Sequence, residues 1–152
     1  MDREIITTED GSTTLYIPEL NEHYHSIHGA IQESIHIFIK AGIEYYGQKN
    51  IRVLAGFGTG LNAFLTLLEA RDNERKVVFH TFEKYPLTPQ EVEQINYSDL
   101  FTPEDAPLFQ QLHDAPWEED VVITPYFTLH KHRADFEEVN FHEYFDMVFF
   151  DA

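Results

Sequence analysis

The stretch IRVLAGFGTGLNAFLTLLEA, residues 51–70, decides the fold, because it predicts a buried strand, a glycine-rich turn and the start of a helix. The apolar, β-branched run at its beginning predicts the strand. Gly56, Gly58 and Gly60 follow at alternate positions, and without Cβ atoms they allow a tight turn and close approach of a ligand. Apolar residues at helical spacing from Leu61 onward predict a helix whose N-terminus points at the same place. This order of elements is typical of nucleotide-like cofactor sites.

The spacing of the glycines narrows the class of cofactor. The dinucleotide fingerprint GxGxxG requires a glycine at position 61, where this chain has a leucine. The spacing here is GxGxG, which is typical of class I S-adenosylmethionine-dependent methyltransferases. A glycine turn that binds no ligand is the alternative that the motif alone leaves open.

Length, composition and charge limit the classes of protein. A chain of 152 residues with 43% hydrophobic residues is expected to form one folded unit. No apolar run approaches the roughly 20 residues of a membrane span, and the charged N-terminus lacks a signal-peptide core, so we expect a cytoplasmic protein without a membrane partner. The absence of cysteine excludes disulfides and thiolate metal sites. Ten basic and 27 acidic residues give a net charge of −17, which opposes unaided binding to tRNA or DNA.

The first 50 residues are expected to form a hairpin and a helix that pack on residues 51–152. An Asp-Gly pair between two β-prone runs predicts the hairpin, and a stripe of isoleucines followed by Gly47 predicts the helix and its end. The predicted elements are strands at Glu4–Thr8 and Thr13–Ile17 and a helix from about Gly29 to Tyr46.

Three acidic residues follow predicted strands. Glu83 ends the strand at 77–82 and could accept hydrogen bonds from both hydroxyls of a ribose, although a surface glutamate is the alternative. Asp135 follows a strand at 126–133 and could bind an adenine amino group. Asp151 ends the strand that begins at Met147. Because cofactor sites in open α/β sheets lie at the carboxyl ends of strands, all three are expected to converge on the glycine turn.

Turn and cap residues predict the remaining elements. Thr88-Pro89 with Glu91 is a capping box that begins a short helix, and Thr102-Pro103 predicts a second helix that reaches about His113. For residues 121–144 the sequence predicts a hairpin or bent strand, formed by 121–124 and 126–133 around Pro125, and then a short helix at 136–144.

The motifs as a set resemble the family of tRNA 5-methylaminomethyl-2-thiouridine methyltransferases, the MnmC methyltransferase domain and its stand-alone MnmD relatives. The resemblance covers almost the whole chain and rests on YHSIHGAIQES at 24–34, GFGTGLN at 56–62, FEKYPL at 82–87, the Pro116-Trp117 pair and FDMVFFDA at 145–152. It implies an α/β, Rossmann-like class I fold and the transfer of a methyl group from S-adenosylmethionine to the amine of 5-aminomethyl(-2-thio)uridine at the tRNA wobble position.

The resemblance also assigns candidate site residues. For the cofactor these are Gly56, Phe57, Gly58, Thr59, Gly60, Asn62, Glu83 and Lys84, together with Asp135, and for the substrate Tyr24, Ser26 and Glu33. Asp151 is the candidate catalytic residue, because a carboxylate there could orient the amine and take up its proton. The chain departs from the family at Leu54, where an acidic residue is usual, and in stopping after DA, where the family continues. We therefore expect an incomplete sheet whose last strand exposes an apolar edge and self-associates.

Two rival interpretations remain at this point. His23, His25 and His28 could join His130 and His132 in a zinc or nickel site, but no acid or thiolate completes the pattern, so no metal is expected. The chain could instead be a non-catalytic nucleotide-binding or interaction domain. Comparing stabilisation by S-adenosylhomocysteine with stabilisation by NAD would separate that interpretation from the methyltransferase one.

Overall fold

The computed structural model describes residues 4–9, 11–17, 22–23, 31, 35–44, 46–95, 103–135 and 144–149. The strands are β1 (Glu4–Thr7), β2 (Thr13–Ile17), β3 (Glu22–His23), β4 (Asn50–Gly56), β5 (Lys76–Phe82), β6 (Asp120–Thr124), β7 (Phe127–His132) and β8 (Met147–Phe149). The helices are a π-helix (Ile35–Glu44), α1 (Leu61–Asp72), α2 (Pro89–Gln94) and α3 (Ala106–Asp114). None of the described helices is long and apolar enough to cross a membrane.

A five-stranded sheet with the order β6-β7-β5-β4-β8 forms the centre of the fold. Strands β7, β5, β4 and β8 are parallel, and β6 pairs with β7 in the antiparallel direction. The predicted α/β class is therefore confirmed, and so is the predicted hairpin around Pro125. Parallel strands that are joined through helices place their carboxyl ends at one edge of the sheet, which is where the glycine turn lies.

Helix α1 packs one face of the sheet and is buried almost all round. The sheet lies on one side of it, and the π-helix and α3 contact it from other directions. A helix that is covered in this way needs apolar residues on more than one side, which explains why Leu61, Phe64, Leu65, Leu67 and Leu68 are all buried. The fully buried side chains of this core include Leu61, Phe64, Leu67, Phe79, Leu112, Phe127 and Leu129.

The N-terminal hairpin is confirmed, since β1 pairs with β2 in the antiparallel direction and Ile5 lies opposite Leu15. The short strand β3, which the sequence did not predict, extends this sheet on the other side of β2. The predicted helix has a different hydrogen-bond pattern, because Ile35–Glu44 forms i→i+5 turns. Isoleucines four residues apart share a face in such turns as well, and Ile39 and Ile43 are buried in the core.

The predicted start of α3 at Pro103 is wrong, because the helix begins at Ala106. An α-helix from Pro103 would need the backbone N–H of Pro107 to donate to the Pro103 carbonyl, and proline has no N–H. In the observed helix Pro107 lies in the first turn, where no such donor is required. By contrast, the capping box at α2 is confirmed: Glu91 N donates to Thr88 Oγ1 at 3.2 Å, and Thr88 N donates to the Glu91 carboxylate at 3.1 Å.

The last part of the sheet is described only as far as Phe149. Strand β8 pairs with β4, and Asp146 anchors its start by accepting a hydrogen bond from Arg52 N at 2.9 Å. The predicted helix at 136–144 and the end of the last predicted strand, with Asp151, lie outside the described residues. Among the described strands, β8 and β6 form the two edges of the central sheet.

Candidate functional site

The glycine turn joins the carboxyl end of β4 to the N-terminus of α1. Gly58 and Gly60 have φ values of +52° and +86°, a left-handed region that glycine adopts without strain. Phe57 N donates to the Phe82 carbonyl at 3.1 Å, so the turn is tied to the end of β5. Gly60 is the N-cap residue of α1, and no side chain caps this helix. The turn therefore presents backbone N–H groups and the positive end of a helix dipole at the sheet edge.

Glu83 lies against this turn. Its Oε2 atom accepts a hydrogen bond from Gly58 N at 3.0 Å, and its Oε1 atom accepts one from Tyr85 N at 3.2 Å. Its own backbone N–H donates to the His132 carbonyl at 3.0 Å, which fixes the residue at the ends of β5 and β7. The structure thus brings the carboxylate and the glycine turn together, as the sequence predicts for the ends of parallel strands.

The other described candidates surround this pair. Lys84 Nζ lies 3.9 Å from Asp135 Oδ2, and both side chains are about half exposed. Thr59 and Asn62 are buried at the start of α1, and Thr59 Oγ1 and Asn62 Oδ1 have no hydrogen-bond partner within the described part of the chain. Buried polar atoms without partners are rare in folded proteins and often mark functional sites. Their position at the glycine turn therefore favours a ligand there.

Helix α3 supports the turn through His113, which the sequence analysis did not single out. His113 Nε2 lies 3.0 Å from the Thr59 carbonyl, and since a carbonyl only accepts, Nε2 is the protonated nitrogen. The ring also packs edge-on against Phe57, with 5.1 Å between the ring centroids. Burial lowers the pKa of His113 to about 4, so the ring is neutral at pH 7. A neutral imidazole therefore holds the middle of the glycine turn.

Lys131 on β7 is a second support that the sequence analysis missed. Only 1% of this residue is exposed, and its Nζ donates to the carbonyls of Leu112 and His113 at 3.0 and 2.9 Å. The ammonium also lies 4.5 Å from the ring centroid of Trp117 and 5.3 Å from that of Phe57. Desolvation lowers its pKa to about 8, so the group remains mostly charged at pH 7. Lys131 thus joins the C-terminus of α3 to the aromatic residue of the glycine turn.

A group of histidines lies on the other face of the same strands. Ligand atoms of His80, His130 and His132 lie within 4.8 Å of one another, and among the described residues no other such group of metal-ligating side chains occurs. His23 lies on β3, and His25 and His28 lie outside the described residues. The histidine group in the structure therefore includes His80, which the metal-site interpretation of the sequence does not contain.

The substrate candidates Tyr24, Ser26 and Glu33 lie outside the described residues, as does Asp151. The alternation of β7 contained a signal for Lys131, because it follows the core positions Phe127 and Leu129 at intervals of two. His113 carried no comparable signal, since its contact with Thr59 depends on how α3 packs.

No family model matches the chain. A relative is the tRNA 5-methylaminomethyl-2-thiouridine biosynthesis bifunctional protein MnmC of Paraburkholderia xenovorans (strain LB400), which is 28% identical over 132 residues, or 82% of this chain and 19% of that protein. The crystal structure of MNMC2 from Aquifex aeolicus superposes with a TM-score of 0.73 at 29% identity and covers 99% of this chain and 50% of that one.

The chain thus spans 50% of the length of the Aquifex chain and 19% of the length of the Paraburkholderia protein. The five-stranded α/β sheet with its helices matches the Aquifex structure and is consistent with a Rossmann-like methyltransferase fold. The sequence match and the structural match together support an MnmC/MnmD-like family for this chain.

Proposed function

We propose that the chain binds S-adenosylmethionine at the glycine turn and takes part in tRNA modification as a methyltransferase. The observation that carries the proposal is the contact of 3.0 Å between the Glu83 carboxylate and Gly58 N, which brings the proposed ribose-binding acid against the glycine turn. The relative from Paraburkholderia, which is named for 5-methylaminomethyl-2-thiouridine biosynthesis in tRNA, supports the class of reaction.

The residues present fit this cofactor. Two glycines with positive φ let the main chain approach the ligand, and α1 begins without a side-chain cap, so its first N–H groups can meet the ligand's carboxylate. Glu83 would hold the ribose, and Asp135 with Lys84 would lie beside the adenine. Thr59 and Asn62 would complete the lining with Gly56 and Phe57. The cofactor would supply an electrophilic methyl group.

The proposed methyl acceptor is the aminomethyl group of 5-aminomethyl(-2-thio)uridine at the wobble position. Tyr24, Ser26 and Glu33 are proposed to contact this substrate, and Asp151 is proposed to accept a hydrogen bond from the amine and take up its proton. The three substrate contacts rest on the resemblance of their motif, and the role of Asp151 rests on its predicted place at the end of a core strand. A carboxylate also favours the protonated amine, so the proposal requires orientation and proton removal to outweigh that shift.

Calorimetry with S-adenosylhomocysteine tests the cofactor site. Glu83→Ala should weaken binding by at least about 10- to 100-fold, because each lost hydrogen bond to a charged group contributes about 1.5–3 kcal/mol. Glu93→Ala is the matched control, since Glu93 is an exposed acid on α2 and is not among the candidate site residues. Unchanged affinity in Glu83→Ala would remove this residue from the site. Equal or tighter binding of NAD would favour the non-catalytic nucleotide-binding interpretation.

A second measurement tests the reaction separately. At moderate ionic strength, where salt screens the repulsion between the acidic chain and tRNA, single-turnover methylation of aminomethyluridine tRNA is followed with and without Asp151→Asn. The variant should keep its affinity for S-adenosylhomocysteine within a few-fold and lose most of the transfer. Loss of cofactor affinity would instead move Asp151 to the cofactor site, and unchanged transfer would remove its catalytic role.

A further inference from the structure

We propose that His80, His130 and His132 form a binding site for one divalent transition-metal ion, with Zn²⁺ as the probe ion. The residues come from neighbouring parallel strands. His80 on β5 is the register partner of His130 on β7, and His132 lies two residues further along β7. Because side chains alternate across a strand, all three imidazoles project from the same face of the sheet.

The distances fit a metal ion of ordinary coordination. His80 Nδ1 lies 2.9 Å from His132 Nε2, and one ligand atom from each of the three rings lies within 4.8 Å of the others. Zn²⁺ with Zn–N bonds of about 2.0–2.1 Å in a tetrahedral site separates the nitrogens by about 3.3 Å. The 2.9 Å separation is shorter than this value and none of the others exceeds 4.8 Å, but the rings are stacked with 4.2 to 5.2 Å between their centroids and must rotate out of the stack to direct three lone pairs at one ion.

One carboxylate orients a ring as carboxylates do in established metal sites. Asp120 Oδ1 lies 2.7 Å from His130 Nδ1, within hydrogen-bond distance, whereas Glu118 Oε2 lies 3.6 Å from His132 Nδ1, at ion-pair distance only. Metal-binding histidines commonly donate their second ring N–H to a carboxylate, which fixes the tautomer and directs the other nitrogen to the ion. In His130 this arrangement leaves Nε2 as the metal-binding atom.

The surroundings combine a buried wall with a route of entry. His80 is 7% exposed, and the rings of Tyr144 and Phe145 pack edge-on against it at 5.5 and 5.3 Å. The side chains of His130 and His132 keep 19% and 17% of their surface exposed, so an ion can reach the site from solvent. Three imidazole ligands are the protein donor set of zinc sites that leave a fourth position for water or another ligand.

One proton must move when the ion binds. The 2.9 Å contact between His80 and His132 is a hydrogen bond, so one of these two nitrogens carries the proton. Both must present a lone pair to the metal, and a neutral ring keeps one proton, so the proton moves to the second nitrogen of the same ring by exchange with solvent. The sequence-based expectation of no metal concerns His130 and His132 together with the N-terminal histidines and does not include His80.

The test is calorimetric titration of Zn²⁺ into the untagged chain after treatment with a chelator and desalting. The wild type should bind one ion per chain, and His130→Ala should weaken the affinity by at least about 100-fold. Asp120→Asn, which changes only the orienting carboxylate, should weaken it about 10- to 100-fold. The double variant His23→Ala/His28→Ala is the matched control and should bind as the wild type does. Circular dichroism of each metal-free variant checks that the fold is retained.

The outcomes separate this site from adventitious binding. Wild-type affinity in His130→Ala, or loss of binding in the His23→Ala/His28→Ala control, would overturn the proposal, as would an absence of stoichiometric binding to the wild type. Titration with Co²⁺ adds a second readout, because three imidazoles should give the visible absorption of four- or five-coordinate cobalt and His130→Ala should abolish it. If His130→Ala fails to fold, Asp120→Asn and the cobalt spectrum decide the matter.

Discussion

Substitution of Gly60 by alanine tests how closely α3 packs under the glycine turn. Gly60 has a φ of +86°, and a Cβ atom there would lie 2.8 Å from His113 Nε2 and 3.3 Å from Phe57 Cζ. Alanine in this left-handed conformation costs about 1–2 kcal/mol. Displacing His113 also breaks its hydrogen bond to Thr59, worth about 1 kcal/mol, and repacking adds about 1–3 kcal/mol. The free energy of unfolding should therefore fall by about 3–6 kcal/mol.

Gly11→Ala is the matched control for backbone strain alone. Gly11 has nearly the same φ, +87°, but a Cβ atom there meets no atom of the described residues within 4 Å. Its cost should be limited to about 1–2 kcal/mol. Urea denaturation of the wild type and both variants measures the two losses. Equal losses in the two variants would refute the inferred contact with His113.

A double-mutant cycle identifies the neighbour responsible. In a chain that already carries His113→Ala, the closest atom to the new Cβ is gone, so Gly60→Ala should cost about 2 kcal/mol less than it does in the wild type. The same loss in both backgrounds would assign the cost to the backbone or to Phe57 instead of His113.

Two further predictions concern the residues that support the glycine turn, and a third concerns the cap of α2. Lys131→Met should lower the free energy of unfolding, measured in urea, by about 2 kcal/mol, because the loss of a charged donor to two buried carbonyls outweighs the removal of the desolvation cost of the ammonium. Unchanged stability would contradict the role of Lys131 as a support. The pKa of His113 is lowered to about 4, so as the pH falls the unfolded chain binds this proton before the folded chain does. The free energy of unfolding of the wild type should therefore fall between pH 6.5 and 4, by up to about 3 kcal/mol more than that of His113→Gln; parallel pH profiles of the two proteins would refute this prediction. Thr88→Ala should cost about 1 kcal/mol and, since α2 has no buried residue, should speed hydrogen exchange in α2 rather than in the central sheet.

Local patterns were enough to predict the parts of the fold that depend on short-range chemistry. The glycine turn, the hairpin at Gly11 and the capping box at Thr88 are specified by residues that lie within a few positions of one another. The position of Glu83 was also predictable, because parallel strands place their carboxyl ends at one edge. The error at Pro103 was avoidable from sequence, since Pro107 stands four residues later and cannot donate to a helix that starts there.

Residues that act through long-range contacts were not predictable in this way. His113 lies 54 residues from Thr59 in sequence, and only the packing of α3 brings its ring beneath the turn. His80 stands within an apolar strand, and its partnership with His130 and His132 depends on the pairing register of β5 with β7. Such registers are set by the buried faces of both strands, which a reading of either strand alone does not supply.

Strand β7 shows how one register serves two sites. Its odd-numbered residues Phe127, Leu129 and Lys131 are buried on the face that α3 covers, and His130 and His132 project from the other face. A slip of one residue would exchange the faces: the Lys131 ammonium would leave the carbonyls of α3, and the imidazoles would leave His80. Because the apolar positions of β7 would leave the core in the same step, the burial of Phe127 and Leu129 fixes both the support of the glycine turn and the arrangement of the histidines. The proposed metal site and the proposed cofactor site are therefore separate in chemistry but depend on the same pairing of β5 with β7.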